Sequence, residues 1–369
     1  MNFFALVGSL NPGTFASVFK VGGGAAPLTA VTSSTAFNLA PAYMALNLNG
    51  TLAYVANEAS GTNAGVTSVA ITWPPPNLSP QVQPTFTTLS FIATDEPCAI
   101  SLHPSLRYVM SASYQTGSIT VMPIDSVTGA AGTPVLPVQI LGSHAHEIIF
   151  AGGGRDVYVP LLGSDSIAIL TFDAETGILT PNAVTPYINV TKGYGPRHLA
   201  LHPTLPSRVY LMCELSNVIV SLIRDVNTGA LSLAPASEMP LSTLRTNRPQ
   251  ATVQAGADVI VSPDGRFLYA SNRAKPYGAG DNSVAIFTID SQGILSPPFE
   301  WCDDGVNFPR NMNFSPDAEA SLLLIANQAG ASVSAYARDL ITGSLIQIDS
   351  IDSSPQITLP SFIYLKEAI

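Results

Sequence analysis

Asp125-Ser126-Val127-Thr128-Gly129 is a phrase that this chain repeats. It returns as Asp173-Ala174-Glu175-Thr176-Gly177, Asp225-Val226-Asn227-Thr228-Gly229 and Asp339-Leu340-Ile341-Thr342-Gly343, with a copy one residue shorter at Asp290-Ser291-Gln292-Gly293. Asp, Thr and Gly are turn formers. A fixed phrase at a period of roughly 50 residues marks a repeat architecture, and four-stranded propeller blades have periods in this range. The phrase serves as a ruler. It sets the register of each unit and marks the outer turn between a third and a fourth strand.

Residues 256–298 show the order inside one unit. Ala257-Asp258-Val259-Ile260-Val261 alternates like a strand, and Ser262-Pro263-Asp264-Gly265 is a turn. Phe267-Leu268-Tyr269-Ala270-Ser271-Asn272 and Ser283-Val284-Ala285-Ile286-Phe287-Thr288-Ile289 read as the second and third strands, and a weaker fourth follows the Asp290 turn. β-branched and aromatic runs separated by Gly, Pro, Asn and Asp are strand signals, and helical periodicity is absent. The same order begins near Pro41, Glu96, His144, Gly195, Gly256 and Phe308. The ends supply a seventh unit: Phe4-Ala5-Leu6-Val7 and Ser17-Val18-Phe19-Lys20 from one terminus, Ile357-Thr358-Leu359 and Phe362-Ile363-Tyr364-Leu365 from the other. Closing the ring with both termini removes the open sheet edge of a linear array. The expected fold is all-β: one seven-bladed β-propeller domain over residues 1–369, with four antiparallel strands per blade. A ring of six or eight blades is the alternative.

Composition excludes several functions. Only 11% of the 369 residues are charged and the net charge is −10. Phosphate backbones need clustered Lys and Arg, so neither nucleic acid nor an anionic membrane is an expected partner. No run approaches the 18 apolar residues of a membrane-spanning helix. Phe3-Phe4-Ala5-Leu6-Val7-Gly8 lacks the basic flank of a signal peptide and reads as a first strand. Cytoplasmic residence is favoured over secretion, although sequons at Asn49, Asn77, Asn189 and Asn313 would permit glycosylation on export. Cys98, Cys213 and Cys302 are widely spaced and read as buried free thiols. Gly22-Gly23-Gly24 and Gly152-Gly153-Gly154 lack a strand–helix context and read as turns, not phosphate cradles.

The start of a first strand and the end of the second lie at the same end of a hairpin. In a ring, these positions surround one mouth of the channel. First-strand starts supply His144, His146, Arg197, His198, Asp258 and Arg310; second-strand ends supply Glu58, Tyr114, Glu214, Asn272, Arg273 and Asn327. Charges beside an apolar channel are costly unless paired or used. The expected site is a polar pocket for an acidic small molecule or lactone. Arg197 and Arg273, with Arg310, would clamp carboxylate or phosphate oxygens. His146 would move protons, with Glu214 as its partner. His144, Asn272, Arg310 and Asn327 are read as substrate-binding. His198 follows Arg197 directly, so strand alternation places it on the opposite face as a packed histidine. His103 and His202 precede prolines and belong to turns. Glu58, Asp258 and Asn327 lack metal-ligand spacing, so no metal is expected.

Gly195-Pro196-Arg197-His198-Leu199-Ala200-Leu201-His202-Pro203, Glu214-Leu215-Ser216-Asn217 and Val261-Ser262-Pro263-Asp264-Gly265-Arg266-Phe267-Leu268-Tyr269-Ala270-Ser271-Asn272-Arg273 together resemble the seven-bladed lactonase family. That family includes bacterial-type 6-phosphogluconolactonases and fungal carboxy-cis,cis-muconate cyclases. The resemblance covers about 41–349. It implies a lactone hydrolase, or a cyclase that forms a lactone, without an organic cofactor. It carries the family's site onto His146, Arg197, Glu214 and Arg273. Hydrolysis of a sugar-acid lactone leads; the cyclase and a non-catalytic binding propeller are the alternatives. Cys213 stands where the family usually has Asn. Residues 58–80 and 237–254 break the repeat, and the second stretch is long enough for a lid.

Overall fold

Leu322-Leu323-Leu324-Ile325-Ala326 is apolar at every position, which suits a strand buried on both faces. The computed structural model, which describes 3–10, 16–22, 28–74, 83–135, 138–238, 240–246, 253–275, 280–352 and 359–367, shows why. Leu323 and Ile325 pack with Phe267, Tyr269 and Ile286 of the sheet before, and Leu324 and Ala326 pack with Phe3, Phe19 and Ile363 of the sheet after. Each sheet is a blade wedged between two others. Seven such sheets form the ring, and a separate apolar cluster fills each of the seven interfaces among the described residues.

Blades are numbered here by their inner two strands. Blade 1 has Pro41–Leu46 and Leu52–Asn57; blade 2, Pro97–Leu102 and Tyr108–Ser113; blade 3, Ile149–Ala151 and Asp156–Leu161. Blade 4 has Pro196–Leu201 and Arg208–Cys213; blade 5, Val253–Val261 and Phe267–Lys275; blade 6, Pro309–Phe314 and Leu322–Asn327. Blade 7 is closed by both termini, with Pro360–Glu367 innermost and antiparallel to Phe3–Ser9, Ala5 facing Leu365. Ala16–Val21 and Leu28–Ser34 complete it. Ile357, Thr358, Gly23 and Gly24 lie outside the described residues. The described residues include no helix long and apolar enough to cross a membrane.

The recurring turn does more than mark a register. In each copy the Asp carboxylate accepts backbone N–H groups two and three or four residues on, as with Asp125 Oδ1 and Thr128 N at 2.7 Å. The glycine sits at positive φ, between +74° and +80° in all five copies, where a side chain is strained. In four copies its carbonyl is the acceptor for a buried tyrosine of the preceding blade. Tyr54 donates to Gly129 O at 2.9 Å, Tyr158 to Gly229 O at 2.8 Å, Tyr210 to Gly293 O at 2.8 Å and Tyr269 to Gly343 O at 2.7 Å. On the same face of the ring, His103 and His202 contact the carbonyls of Gly154 and Gly265 in the next blade. Both histidines thus join one blade's turn to its neighbour's. Tyr158→Phe removes the hydroxyl that donates to Gly229 and that accepts from Arg224 Nε at 3.0 Å. We expect a loss of about 1–3 kcal/mol, because the freed partners stay buried. A urea midpoint equal to wild type would show that the lock contributes nothing.

Residues 58–80 break the repeat less than the sequence suggests, because Gly65–Thr72 is a regular third strand that pairs with Leu52–Asn57; residues 75–82 are not described. In 237–254, Leu241–Ser242 pairs with the third strand of blade 4, Val218–Arg224, and Val253 opens the inner strand of blade 5. Residues 239 and 247–252, the middle of the expected lid, are not described.

Candidate active site

The site depends on a backbone irregularity repeated around the ring. Pro196 pairs with Cys213 and His198 with Met212, which leaves Arg197 as an extra residue in a bulge. The same shift singles out Ala42, Cys98, Arg310 and Ser361 after Pro41, Pro97, Pro309 and Pro360, and falls at Ala257 and Asp258 in blade 5. A bulge bends the strand and re-aims side chains. It also cancels strict alternation. The expectation that His198 faces away from Arg197 is therefore corrected: Arg197 Nη1 lies 3.0 Å from His198 Nε2.

Arg197, Glu214 and Arg273 come together at the mouth. Arg197 Nε is 2.7 Å and Arg273 Nη2 is 3.0 Å from the same oxygen, Glu214 Oε2. Arg197 Nη1 also donates to Ala257 O at 2.7 Å, and Arg273 Nη2 to Gly256 O at 2.8 Å. The Arg273 guanidinium lies over the Phe308 ring at 5.3 Å. Both arginines are buried, while the Glu214 side chain is 21% exposed and so meets the mouth. Burial would raise the Glu214 carboxyl, but Arg273, Arg197 and Arg310 outweigh it and hold it below the usual range. Burial works against the charge on Arg273 and Arg310, and Glu214 and Glu58 respectively support it. Arg310 lies 3.5 Å from Glu58 Oε2, a looser pair. Burial raises Glu58, with Arg310 and Arg197 opposing.

His146 is 6% exposed and its ring centroid is 5.4 Å from that of His198 and 5.7 Å from that of Tyr114. Burial first, then the positive charges of Arg197 and Arg310, hold it well below the ordinary histidine range. It is a neutral imidazole at neutral pH. His144 stands at the rim, half-buried, its ring 4.2 Å from Tyr114 and its Nδ1 2.7 Å from Ser143 Oγ. Below the arginines the channel narrows to about 10 Å³ for the centre of a water-sized sphere, the room of about one water. A wider groove of about 490 Å³ opens at the rim between blades 1 and 2, lined by Thr94, Asp95, Glu96, Gln115 and Thr116. It is larger than the space beside Arg197, and no Arg, Lys or His lines it.

Two expectations are corrected. Asn272 and Asn327 are fully buried, and their amides hold the loops by which the chain enters their own blades from the preceding ones. Asn272 Nδ2 donates to Thr243 O at 2.8 Å and its Oδ1 accepts from Thr243 Oγ1 at 2.6 Å. Asn327 Nδ2 donates to Gly305 O at 3.0 Å and Ser334 Oγ at 2.9 Å. Asn57, at the same strand end of blade 1, does likewise with Phe37 O and Leu39 O. These are loop anchors, not groups offered to a ligand. Sequence reasoning also missed Tyr43, Asn311 and Ser361, which lie on the inner strands beside the cluster, and Glu147, just before the inner strand of blade 3. Pro41, Pro309 and Pro360, one or two residues earlier, were the signal that locates the first three. Glu147 is buried and accepts from Leu199 N at 2.6 Å, and burial raises its carboxyl well above the usual range. Glu58, Asp258 and Asn327 sit in separate networks. No three His, Cys, Asp or Glu side chains among the described residues converge in a way that would hold a metal ion.

Comparison with known proteins bears on the fold and the family. The model of the family described as "Lactonase, 7-bladed beta-propeller" matches residues 4–361. A 6-phosphogluconolactonase of Bacillus subtilis is 27% identical over 334 residues, which is 88% of this chain and 87% of that protein. A periplasmic gluconolactonase of Pseudomonas aeruginosa shares the fold with a TM-score of 0.84 at 21% identity, covering all of both chains. A Lactobacillus plantarum protein does so with a TM-score of 0.82 at 23% identity, again over both whole chains. With a family match across nearly its whole length, and a ring of seven blades to go with it, the chain belongs to the seven-bladed β-propeller lactonase family.

Proposed function

We propose that this protein hydrolyses a sugar-acid lactone at the mouth formed by Arg197, Glu214, Arg273 and His146. The observation that carries the reading is the pair of buried guanidiniums held on one glutamate oxygen, at 2.7 and 3.0 Å, beside a neutral buried imidazole. Attack of water on a lactone carbonyl builds negative charge on oxygen. Preorganised donors aimed at that oxygen are usually the largest single contribution to catalysis, and Arg197 and Arg273 are fixed before substrate arrives. His146 takes the proton from the attacking water and returns it to the leaving alkoxide, so one residue serves both steps. Glu214 is a poor proton carrier, because two guanidiniums stabilise its ionised form. Its role is to hold them in line. The hydroxyl- and carboxylate-lined groove at the rim suits the polyol part of a sugar lactone better than an apolar ring. Relatives named as 6-phosphogluconolactonase and gluconolactonase support the same class.

The test is acid release, followed in a pH-stat, from glucono-1,5-lactone, 6-phosphogluconolactone and a muconolactone. Turnover of a sugar lactone in clear excess over the muconolactone is the expected result. No turnover of any of the three would remove the hydrolase reading.

A further inference from the structure

His198 has no part in the mechanism just given, yet it touches the arginine on which that mechanism depends. Arg197 Nη1 is 3.0 Å from His198 Nε2 and 2.7 Å from Ala257 O. A guanidinium carries donors only. Nε2 must therefore be the acceptor, and the ring proton sits on Nδ1. That nitrogen is 2.8 Å from Asp258 Oδ1, a carboxylate oxygen that receives the proton's hydrogen bond. Asp258 is itself fixed. Its Oδ1 accepts from Val259 N at 3.0 Å, and its Oδ2 from Asn311 Nδ2 at 2.9 Å and Met312 N at 2.8 Å. Bonds therefore run from the inner strand of blade 6, through blade 5, to His198 and Arg197 of blade 4.

The surroundings keep the ring neutral. Glu147 Oε1 lies 3.9 Å from Nδ1, the His146 ring 5.4 Å away and the Tyr43 ring 6.3 Å away, centroid to centroid. Burial and the charge of Arg197 bring His198 down to about 4, against the opposing pull of Asp258. A protonated ring would turn an N–H toward Arg197 and break the contact.

For Arg197 the result is a guanidinium with one end left over. Nε faces Glu214 Oε2 at 2.7 Å as an ion pair without a hydrogen bond, Nη1 uses its two hydrogens on Ala257 O and His198, and Nη2 donates to no acceptor among the described residues. We propose that His198, held by Asp258 in the Nδ1–H tautomer, is a positioning residue that fixes Arg197 so that Nη2 alone is presented to the substrate oxygen. The proposal rests on the lactonase reading for its effect on turnover. A catalytic group misplaced by about 1 Å can cost roughly 10²-fold in rate.

Two variants and one spectrum test it. His198→Gln keeps an acceptor for Arg197 and a donor for Asp258; His198→Leu keeps bulk and removes both. We expect His198→Leu to lower kcat by roughly 10²-fold with a much smaller change in KM, and His198→Gln to recover most of the loss. Urea midpoints establish that both fold. In ¹⁵N-histidine-labelled wild type, the His198 ring should show protonated Nδ1 and bare Nε2. A ring protonated on Nε2 would overturn the proposal, and so would a folded His198→Leu with wild-type kcat. Should wild type turn over no lactone, the hydrolase reading falls by itself, and the tautomer still decides whether the relay exists.

Discussion

Arg197→Met should lower kcat/KM for the accepted lactone by about 10³-fold, the upper range for loss of one oxyanion donor, while the protein stays folded. Methionine fills the apolar stem of arginine and supplies no donor. Glu214 keeps Arg273 at 3.0 Å, so no acid is stranded. The cost in stability is the unpaired Ala257 O and His198 Nε2, about 1–3 kcal/mol. Glu214→Leu makes the contrast. It strands two buried cations that share one oxygen, and breaking a buried pair from one side costs about 3–5 kcal/mol; the partial exposure of Glu214 puts this case at the lower end. Activity should fall in both variants, but the urea midpoint should fall further in Glu214→Leu. Arg197→Met with kcat/KM within tenfold of wild type would remove the arginine clamp. Equal midpoints for the two variants would show that the shared carboxylate does not hold the arginines.

What the sequence disclosed, and what it hid, follows from the distance between cause and effect along the chain. The Asp-x-x-Thr-Gly turn is local. Its Asp caps backbone N–H groups within four residues, and its Gly supplies a positive φ, so the phrase is legible wherever it occurs. Blade count and the mouth positions of Arg197, Glu214 and Arg273 follow from it by hairpin connectivity alone. The tyrosines that bond the turn's carbonyl come from the preceding blade, 71 to 83 residues away, and nothing local marks them. The side-chain directions failed for a different reason. Alternation assumes an unbroken ladder, and the bulge at Arg197 shifts the parity of every residue before it relative to those after. That is why His198 was assigned to packing and Asn311 was passed over. Asn272 and Asn327 were placed at the right end of the right strand, but a strand end has two faces, and theirs turns to the loop of their own blade interface.

His146→Gln should lower kcat by about 10² to 10⁴-fold, the range for loss of a general acid–base group, and should abolish the acid limb of the pH profile that wild type shows. The sign of that limb is set by the required form. The base must be unprotonated to accept a proton from water, so activity falls as pH drops through the imidazole's pKa. Burial, then Arg197 and Arg310, hold that pKa well below 6.5. After subtraction of spontaneous lactone opening, wild-type kcat/KM should therefore be level through neutrality and decline only in distinctly acid solution. Arg310→Met supplies the second half of the test. It removes a positive neighbour of His146 without removing the imidazole, so the limb should move up toward the ordinary histidine value. A magnitude change in Arg310→Met with no movement of the limb would assign Arg310 to binding alone. A wild-type limb already centred near 6.5 would mean that water reaches His146, and the account of a dry, neutral base under the arginines would fail with it.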